Sequence, residues 1–484
     1  MTRACAARTS AAADESVPAI TRTPPLPTAR LSRRSPKTPA SCSCMPATTT
    51  PAYSIVVGTL AHSVTNPAPV RSLMRPRGAA AKDCCMSKSD IVVIGAGPVG
   101  ALLALGLAQR GREVLLLESE PDIVPSPRAM VYYWHVLEGL DRLGVLDDMD
   151  ARGFRNTAFL QRVLSTGLQA DVPLAPVAAV TRFPYNIHLG QHELVRIALE
   201  HLERLPNAHV EFGAKVTAVS DEGDHVVIEG ESDSGRGQWR ARWAVGADGA
   251  RSLVRRSLGL GFGGTTWPDR FVATNLRYPF GELGGLGNAN MIFDPDNGCV
   301  IARIDDTGLY RWTWSESAEL PEEGVLDRLP GRLAALGFGD APYEIDAFTP
   351  YRMHQRSADR MKHGRVLLIG DAAHATNPTG GLGLTSGMYD LLSLIEPLAG
   401  AVSGSGDESA LEEWAAMRLE RFRNHASPMA SGIKHMVYDE TDVSKLEGLV
   451  RSSSDFTDPV TTLGRLTGMT VLRGSLPRHH MELA

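Results

Sequence analysis

The feature that most constrains the fold of this chain is a glycine-rich turn at residues 95–100, which reads Gly-Ala-Gly-Pro-Val-Gly. An apolar run at 91–94 precedes the turn and predicts a buried strand, and the pattern at 101–110 predicts a helix. A second strand is predicted at 113–117, and it ends at Glu118. A strand, a glycine triplet, a helix and a second strand with a terminal acid, all in one short unit, indicate a site for a dinucleotide.

Each part of this unit has a physical task in dinucleotide binding. Gly95 permits the tight turn, Gly97 lets the backbone approach a pyrophosphate, and Gly100 lets the helix pack closely on the strand. The N-terminus of the helix supplies aligned N–H groups and partial positive charge to the diphosphate. Glu118 is placed to accept hydrogen bonds from the adenosine ribose, and an acid there argues against a 2′-phosphate. This unit alone leaves FAD and NAD equally open.

Two later segments separate FAD from NAD. In each, an apolar strand ends in a glycine and an aspartate, and a helix-starting sequence follows. The first segment contains Asp248 and Gly249, and the second contains Gly370 and Asp371. An aspartate at the carboxyl end of a strand can accept hydrogen bonds from ribityl or ribose hydroxyls. An NAD dehydrogenase has no need of such acceptors so far along the chain, whereas a flavin with its ribityl chain does, so FAD is predicted.

With these three segments in order, the chain resembles the class A flavoprotein monooxygenases, the family of para-hydroxybenzoate and phenol hydroxylases. The resemblance covers about residues 88–400. It is most specific in the last motif, which matches the family pattern without a gap at Gly370, Asp371, Ala372, Ala373, His374, Pro378, Gly381, Gly383, Gly387 and Asp390. The chain departs from the pattern at Asn377, Leu382 and Thr385, where the family usually has Pro, Gln and Asn.

The resemblance implies further cofactor contacts. Arg128 resembles the family's arginine that reaches the phosphate or ribityl region, and Gln191 resembles its glutamine that hydrogen-bonds the cofactor. The turn of the last motif implies contact with the isoalloxazine edge, through Pro378, Gly381, Gly383 and Leu384. The helix after this turn can stabilise negative charge on the reduced flavin. His374 and Asp390 are interpreted as supports of the loop.

The same resemblance implies an FAD-dependent monooxygenase. NADPH or NADH reduces the flavin, O2 adds to give a flavin hydroperoxide, and the distal oxygen goes to an aromatic (phenolic) or related ring. The sequence shows no second glycine triplet for the nicotinamide, which matches a reductant that docks transiently. An FAD oxidase, reductase or epoxidase on the same scaffold and a flavin-binding sensor stay open as alternatives. Trp312 and Trp314 lack the Ile-Pro that follows in flavin-dependent halogenases, and their alternation predicts one face of a strand, which either belongs to the core, the favoured interpretation, or lines a substrate cavity.

The fold class that follows is α/β, a Rossmann-like FAD-binding domain with a discontinuous chain and an inserted mixed β-sheet substrate domain. The FAD-binding parts are predicted at 86–261 and 353–400. The insert is predicted at 262–352, where short alternating runs indicate strands. Residues 401–484 predict helices and a tail. The two helices there are predicted at 408–424 and 428–450.

The catalytic residues are left unassigned. A base that deprotonates a phenol would make the ring electron-rich and so would help the reaction. Tyr351, Arg352 and His354, on the last strand of the predicted substrate sheet, are candidates for this base. The predicted partners are a small aromatic substrate and O2, and no metal site is predicted.

Residues 1–85 differ in composition from the rest of the chain. They carry eleven basic and three acidic residues, whereas the remainder carries 38 basic and 52 acidic residues. They also lack apolar periodicity, so they cannot bury enough surface to offset the entropy of ordering, and disorder is expected. The segment resembles an organellar transit peptide. Met86, just before the first strand, instead favours an upstream start codon chosen in error.

Charge and cysteine content narrow the setting in which the protein works. A formal net charge of −6 does not suggest a nucleic-acid partner. The uncharged run at 91–108 is broken by glycines and a proline, so it predicts a strand–turn–helix unit and no membrane span. Cys299 is the one cysteine outside residues 1–85, which fits a reducing compartment. A cytoplasmic protein is expected, with an organelle as the alternative if 1–85 is a transit peptide, and a homodimer is left open.

Overall fold

The computed structural model describes residues 88–125, 129–232, 235–455 and 459–474. Two predictions lie outside the described residues, namely the disorder of 1–85 and the cofactor contact of Arg128. In chain order, the strands are β1 (Lys88–Ile94), β2 (Val114–Glu118), β3 (Val131–Tyr132), β4 (Phe154–Asn156), β5 (Ala158–Val163), β6 (Gln169–Pro173), β7 (Asn186–His188), β8 (Ala208–Phe212), β9 (Lys215–Asp221), β10 (Val226–Ser232), β11 (Gly235–Gly246), β12 (Phe262–Arg277), β13 (Ala289–Phe293), β14 (Cys299–Arg303), β15 (Leu309–Ser317), β16 (Glu344–Ala358), β17 (Lys362–His363), β18 (Val366–Leu368) and β19 (His374–Ala375). The α-helices are α1 (Pro98–Gln109), α2 (Trp134–Arg142), α3 (Leu146–Arg152), α4 (Gln191–Glu203), α5 (Leu253–Ser257), α6 (Phe280–Gly284), α7 (Val325–Ala335), α8 (Leu382–Ser403), α9 (Ser409–Arg421), α10 (Ser427–Tyr438), α11 (Val443–Ser453) and α12 (Pro459–Thr467).

The first sheet carries the glycine-rich turn. Its strand order is β17-β18-β11-β1-β2-β8, with β10 and β9 continuing from β11. The neighbours from β18 to β8 pair in parallel, and the apolar residues of β1 are buried. Helix α1 is buried along most of its length because it contacts this sheet, α4 and α8, which explains why it lacks a polar face. The Rossmann-like unit predicted from the sequence is therefore confirmed.

The second sheet is mixed. Its strand order is β19-β16-β12-β15-β14-β13-β5-β6, in which β13 and β5 pair in parallel and the other neighbours are antiparallel. The chain leaves the first sheet after β11, builds most of the second sheet, and returns with β18 beside β11. This arrangement confirms an α/β fold with a discontinuous Rossmann-like domain and an inserted mixed sheet.

The second sheet is wider than the predicted insert at 262–352. It includes β5 and β6, which precede the insert, and β16 continues beyond residue 352 to Ala358. Strand β5 pairs with β13, which lies far along the chain. The sequence of a short strand does not say which sheet it will join, because that choice depends on partners distant in sequence.

The C-terminal helices differ from the prediction at two places. The single helix predicted at 428–450 is two helices, α10 and α11. Asp442 starts the second, since its Oδ1 accepts hydrogen bonds from the backbone N–H groups of Ser444 at 3.0 Å and Lys445 at 3.4 Å. Helix α12 lies where a tail was predicted. Across the ranges that the structure describes, none of the helices has both the length and the apolar character needed to cross a membrane.

Candidate active site

The three turns predicted from the sequence meet at the carboxyl edge of the first sheet. Strands β1, β11 and β18 are adjacent and parallel, so the turns that follow them lie side by side. A Cβ built on Gly95 would lie 2.5 Å from the carbonyl oxygen of Ala247, and one built on Gly370 would lie 3.4 Å from Val99. Gly95 also has a φ of +104°, so both its conformation and its close neighbour require glycine.

The turn before α1 presents its backbone to open space. A Cβ on Gly97 would meet no protein atom within 4 Å, whereas a Cβ on Gly100 would lie 2.0 Å from the carbonyl oxygen of Gly95. The N-terminus of α1 has no side-chain cap and no acidic residue in its first turn. Its N–H groups and partial positive charge are therefore available to an anion. Gly97 leaves room for a ligand, and Gly100 leaves room only for the turn.

Glu118 is tied to the same turn. Its Oε2 accepts a hydrogen bond from the N–H of Ala96 at 2.7 Å. Its Oε1 accepts hydrogen bonds from the Ser119 hydroxyl at 3.1 Å and from the N–H of Glu120 at 3.0 Å. The structure therefore places this carboxylate beside the glycine triplet, as a ribose contact requires, and the contact itself stays a prediction.

Asp248, in the second turn, uses only one of its two carboxylate oxygens within the protein. Its Oδ2 accepts hydrogen bonds from the N–H groups of Leu253 at 2.7 Å and Val254 at 3.1 Å, so it binds the first turn of α5, whose N-cap is Ser252. Its Oδ1 is buried and has no hydrogen-bond partner among the described residues. A buried carboxylate oxygen is costly without a partner, and a ligand hydroxyl would satisfy it. Gly249 leaves open space next to it.

The third turn, which is the segment at 369–381 between β18 and α8, is held by a buried cluster around Asp390. One oxygen of Asp390, Oδ2, accepts the N–H of Gly370 at 3.0 Å and lies 2.7 Å from Nε2 of His374, and Oδ1 accepts Nε of Arg418 at 2.8 Å. Burial alone raises the pKa of Asp390, but His374 and Arg418 outweigh it and the pKa lies below its usual range. His374 is fully buried and stacks on Phe422 at 4.3 Å, so it supports the loop as predicted.

The glycine-rich part of the third turn, at 378–381, has a defined backbone conformation. The N–H of Gly381 donates to the carbonyl of Pro378 at 2.9 Å, and Gly381 has a φ of +65°. A Cβ on Gly383 would have only Thr376 near it, at 3.6 Å. The Tyr133 hydroxyl donates to the carbonyl of Gly380 at 3.0 Å and so fixes the turn from outside.

The remaining predicted contacts occupy different positions around the three turns. Gln191 is the first residue of α4 and is half-buried. Leu384 lies half-buried in the first turn of α8, and Asp371 follows β18 with an exposed side chain. Arg128 lies outside the described residues. For each of these residues, contact with the cofactor stays a prediction.

Gln355 joins the second sheet to the third turn, and sequence reasoning missed it. Its Oε1 accepts hydrogen bonds from the Thr376 hydroxyl at 2.9 Å and from the N–H of Asn377 at 3.2 Å, and its Nε2 donates to the Ser427 hydroxyl at 2.7 Å. The proline that the family usually has in place of Asn377 could not supply this N–H. In the sequence, a polar residue in an alternating strand looks like a surface residue. Nothing in the sequence therefore indicated that Gln355 contacts the third turn.

The face of the second sheet opposite α7 is partly open. On the α7 side, Trp312 and Trp314 are 1% and 2% exposed and form a core with that helix, as the alternation in the sequence predicts. On the other side, Arg311 and Thr313 of β15 and Val300 of β14 are only half-buried, although these strands lie in the interior of the sheet. This open face is the candidate substrate surface.

The open face leads to the third turn. Tyr351 and Gln355 alternate along β16 on the same side, and Gln355 is hydrogen-bonded to that turn. Ile433 of α10 packs against the cluster that includes Tyr351, and its Cδ1 would lie 2.7 Å from a Cβ built on Gly380. The candidate substrate surface and the turn predicted to contact the flavin are therefore neighbours.

The three candidate bases are poorly suited to accept a proton from a substrate on this face. Burial raises the pKa of Tyr351 far above its usual value, so its hydroxyl stays protonated. His354 lies on the opposite side of β16, where it is hydrogen-bonded to Thr266 at 2.9 Å, and burial and nearby arginines lower its pKa. Arg352 is exposed and cationic.

Comparison with known proteins assigns the family. Residues 88–426 match the FAD binding domain family. Over 356 residues the chain is 44% identical to the 6-hydroxy-3-succinoylpyridine 3-monooxygenase of Pseudomonas putida, covering 73% of this chain and 90% of that protein. It is 40% identical over 345 residues to the para-nitrophenol 4-monooxygenase of a Pseudomonas species, covering 70% of this chain and 85% of that protein. The chain belongs to the FAD-dependent aromatic monooxygenases.

Solved structures of FAD-dependent monooxygenases share its architecture. The crystal structure of p-nitrophenol 4-monooxygenase from Pseudomonas putida superposes with a TM-score of 0.77 and 36% identity, covering 80% of this chain and 99% of the other. Aklavinone-11 hydroxylase in complex with FAD and aklavinone gives a TM-score of 0.66 and 26% identity, covering 72% and 69%. The predicted family, the FAD cofactor and the hydroxylase activity are confirmed.

The residues of this monooxygenase fit an FAD molecule. The open helix terminus beside Gly97 suits the diphosphate, and the unpartnered Oδ1 of Asp248 suits a hydroxyl of the cofactor. The space beside Gly383 leaves room for a flat ring system next to the third turn. Two of these features are glycines with few or no protein atoms beside them and the third is an unsatisfied oxygen, and FAD complements all three.

Proposed function

We propose that this monooxygenase acts on a hydroxylated six-membered aromatic ring and inserts oxygen at the carbon para to the hydroxyl, where an electron-withdrawing substituent stands. The observation that carries the proposal is the open face of the second sheet, where polar Arg311 and Thr313 lie beside apolar Val300. Apolar side chains contact the faces of a ring, while a small number of polar groups orient its oxygen atoms.

The names of the two relatives support the choice of ring position. Para-nitrophenol carries its nitro group at carbon 4, opposite the hydroxyl, and that relative is a 4-monooxygenase. In 6-hydroxy-3-succinoylpyridine, positions 3 and 6 lie opposite each other on the ring, and that relative is a 3-monooxygenase. Both names place the reaction at a substituted carbon para to a hydroxyl, and we extend this pattern to the present enzyme.

An electron-withdrawing group para to the hydroxyl also explains how the enzyme works without an evident base. Charge on the ring oxygen delocalises onto such a group, so the hydroxyl is acidic and ionises near neutral pH. The ring is then electron-rich before it binds. Tyr351, Arg352 and His354 are not needed as proton acceptors, and the open face has only to bind and orient the anion.

The protein's own contribution is positioning and water exclusion. When bound, FAD supplies the two-electron chemistry that delivers one oxygen atom of O2 to the ring, while the other leaves as water. The N-terminus of α8 places partial positive charge beside the third turn, where negative charge develops. Tyr133, which follows β3, and Gln355, on β16, are both hydrogen-bonded to that turn and hold it in place. NADH or NADPH is the proposed reductant.

The test is a substrate panel with residues 86–484 purified as the yellow holoenzyme. Oxidation of NADH and of NADPH is followed with 4-nitrophenol, 3-nitrophenol and phenol, alongside peroxide, nitrite and ring products. With 4-nitrophenol, insertion at the substituted carbon releases nitrite with the C–N bonding electrons and leaves a quinone. One reduced nicotinamide and one O2 are then consumed, and one water forms, for each nitrite released.

The outcomes separate this proposal from its rivals. Nitrite release with 4-nitrophenol, and none with 3-nitrophenol, supports attack at the para carbon. Stoichiometric peroxide with a substrate-derived carbonyl would show an oxidase, and a hydroxylated ring that keeps its nitro group would overturn the ring position.

We also infer a cytoplasmic enzyme from the single cysteine outside residues 1–85. Light scattering on the purified protein decides between a monomer and a homodimer.

A further inference from the structure

Arg311 is a cation placed in the interior of a sheet. It lies on β15, and its sequence neighbours Tyr310 and Trp312 face the α7 side of the sheet. The side chain of Arg311 therefore projects from the open face. Its Nε donates to Oδ1 of Asn275 on the neighbouring strand at 3.0 Å, which holds the guanidinium in one orientation. Fixed arginines of this kind present the rest of their N–H fork to a ligand.

The charge of Arg311 has no carboxylate to balance it. Within the ranges described, it forms no ion pair, and its terminal nitrogens make no hydrogen bond to another residue. Burial lowers its pKa to about 10, so it is still positively charged at neutral pH. A cation withdrawn from water and left without a counter-ion is unfavourable.

The titratable neighbours of Arg311 on the other elements are both neutral. Burial raises the pKa of Tyr351 on β16, so this group keeps its proton. Burial also lowers the pKa of His192 on α4; the Glu193 carboxylate opposes this effect, and the charges of Arg196 and Arg311 add to it. Among the described residues no carboxylate pairs with Arg311, whereas an anionic ligand would balance its charge.

The strand neighbours of Arg311 and Asn275 on this face have small side chains. The partner of Arg311 on β14 is Ala302, and the residue on β16 that pairs with Asn275 is Ala347. Both are alanines, so beyond Asn275 the side chains that flank Arg311 along the sheet in these two directions are single methyl groups. Thr313, two residues further along β15, is half-buried and extends the same accessible surface.

We propose that Arg311 binds an anionic oxygen of the substrate and so makes the enzyme select ionised rings. The inference rests on the proposed function and names the residue that determines its substrate class. The anionic oxygen is either the ionised ring hydroxyl or a carboxylate on the para substituent. In both cases the guanidinium donates charge-assisted hydrogen bonds that a neutral side chain of similar size cannot supply.

The test measures binding to the oxidised holoenzyme without reductant, through the change in flavin absorbance. The ligands are 4-nitrophenol, 4-(4-hydroxyphenyl)-4-oxobutanoate and the methyl ester of the latter. The variants are Arg311→Met, Arg311→Lys and the matched control Arg277→Met. Arg277 lies on the adjacent strand β12, and its Nη1 donates to the carbonyl of Thr307 at 2.9 Å.

We expect Arg311→Met to bind 4-nitrophenol about 10- to 100-fold more weakly than the wild type, the loss of a charge-assisted hydrogen bond. Wild-type affinity should rise with pH as 4-nitrophenol ionises, and this rise should flatten in Arg311→Met. Arg311→Lys should recover part of the affinity, and Arg277→Met should match the wild type. The FAD content and melting temperature of Arg311→Met should not fall, because Arg311 has no ion-pair partner that its removal would leave buried and uncompensated.

The ligand series identifies which oxygen is bound. If Arg311→Met loses the same affinity for the acid and for its ester, Arg311 binds the ring oxygen. If it loses affinity for the acid only, Arg311 binds the carboxylate. Unchanged affinity of Arg311→Met for all three ligands overturns the inference while leaving the proposed function intact. If the wild type neither binds nor oxidises any of the three, the proposed function fails and the inference fails with it.

Discussion

His374 and Asp390 are joined by a hydrogen bond of 2.7 Å between Nε2 and Oδ2, and both side chains are fully buried. His374 is the first residue of β19, and Asp390 lies on α8, so the bond ties the segment between β18 and α8 to the helix that follows it. Arg418 of α9 binds the other oxygen of Asp390. The turn predicted to contact the flavin is therefore positioned by a buried charged cluster and not by its backbone alone.

Asp390→Asn should destabilise the protein by about 3–5 kcal/mol, because it leaves the buried guanidinium of Arg418 without its counter-ion. The measurement is the free energy of unfolding from urea denaturation. Asp346→Asn is the control, since Asp346 is exposed on β16. FAD content should fall with stability in Asp390→Asn only. Equal stability of the two variants would contradict a structural role for the cluster.

The stability of the enzyme should fall in acid because of Asp390. Its pKa is lowered in the folded protein, while in the unfolded chain it is about 4. The carboxylate therefore contributes stability that is fully present above the unfolded value and is lost as the pH falls through the folded value. Asp390→Asn should lose less stability than the wild type over that acidic range. Parallel curves for the two proteins would show that other groups dominate.

Gly97→Ala should weaken FAD binding, whereas Gly100→Ala should weaken the fold. The added methyl at Gly97 meets no protein atom, so the apoprotein should fold normally but bind FAD at least about tenfold more weakly, because the methyl blocks the diphosphate. The added methyl at Gly100 would collide with the carbonyl oxygen of Gly95, and overpacking of this kind costs about 1–3 kcal/mol. Flavin titration and thermal denaturation of the apoproteins distinguish the two effects. Normal FAD affinity in Gly97→Ala would remove the diphosphate from this turn.

Asp248→Ala and Asp442→Ala each remove a carboxylate that binds the first turn of a helix. Each aspartate accepts two backbone N–H groups at a helix start, so each variant should lose about 1 kcal/mol of stability. Only Asp248 also has a buried, unpartnered oxygen beside the three turns. FAD affinity, measured by fluorescence quenching, should therefore fall in Asp248→Ala and stay unchanged in Asp442→Ala. A similar affinity in both would make Asp248 a support of that helix turn and nothing more.

Tyr133→Phe should loosen the third turn. Burial raises the pKa of Tyr133 to about 12, so its hydroxyl is a donor at neutral pH, and losing its hydrogen bond to Gly380 costs about 0.5–1.5 kcal/mol. A less fixed turn should release more peroxide for each nicotinamide oxidised. Tyr185→Phe is the control, because Arg155 packs over its ring at 4.2 Å and the variant keeps that contact. If peroxide yields do not differ, the Tyr133 hydroxyl does not govern coupling.

The cofactor side of the site was largely predictable from the sequence. Gly95, Asp248 and Gly370 each belong to a short segment that follows a strand and precedes a helix. These flanking elements require a tight turn, and that turn requires these residues. The conformation of such a turn depends on a few residues on either side of it, and parallel strands bring their carboxyl ends to one edge whatever lies between them. The Trp312 and Trp314 core was predictable for a similar reason, because alternation is a local property.

The substrate side was not predictable in the same way. Nothing local distinguishes Arg311 from a solvated surface arginine, and it becomes an unpaired cation on an open face only when α7 covers the other side of its strand. Gln355 acquires its role from Thr376 and Asn377, and β5 acquires its partner from a strand far along the chain. Burial, charge balance and sheet membership depend on contacts between residues distant in sequence, so they exist only once the chain has folded.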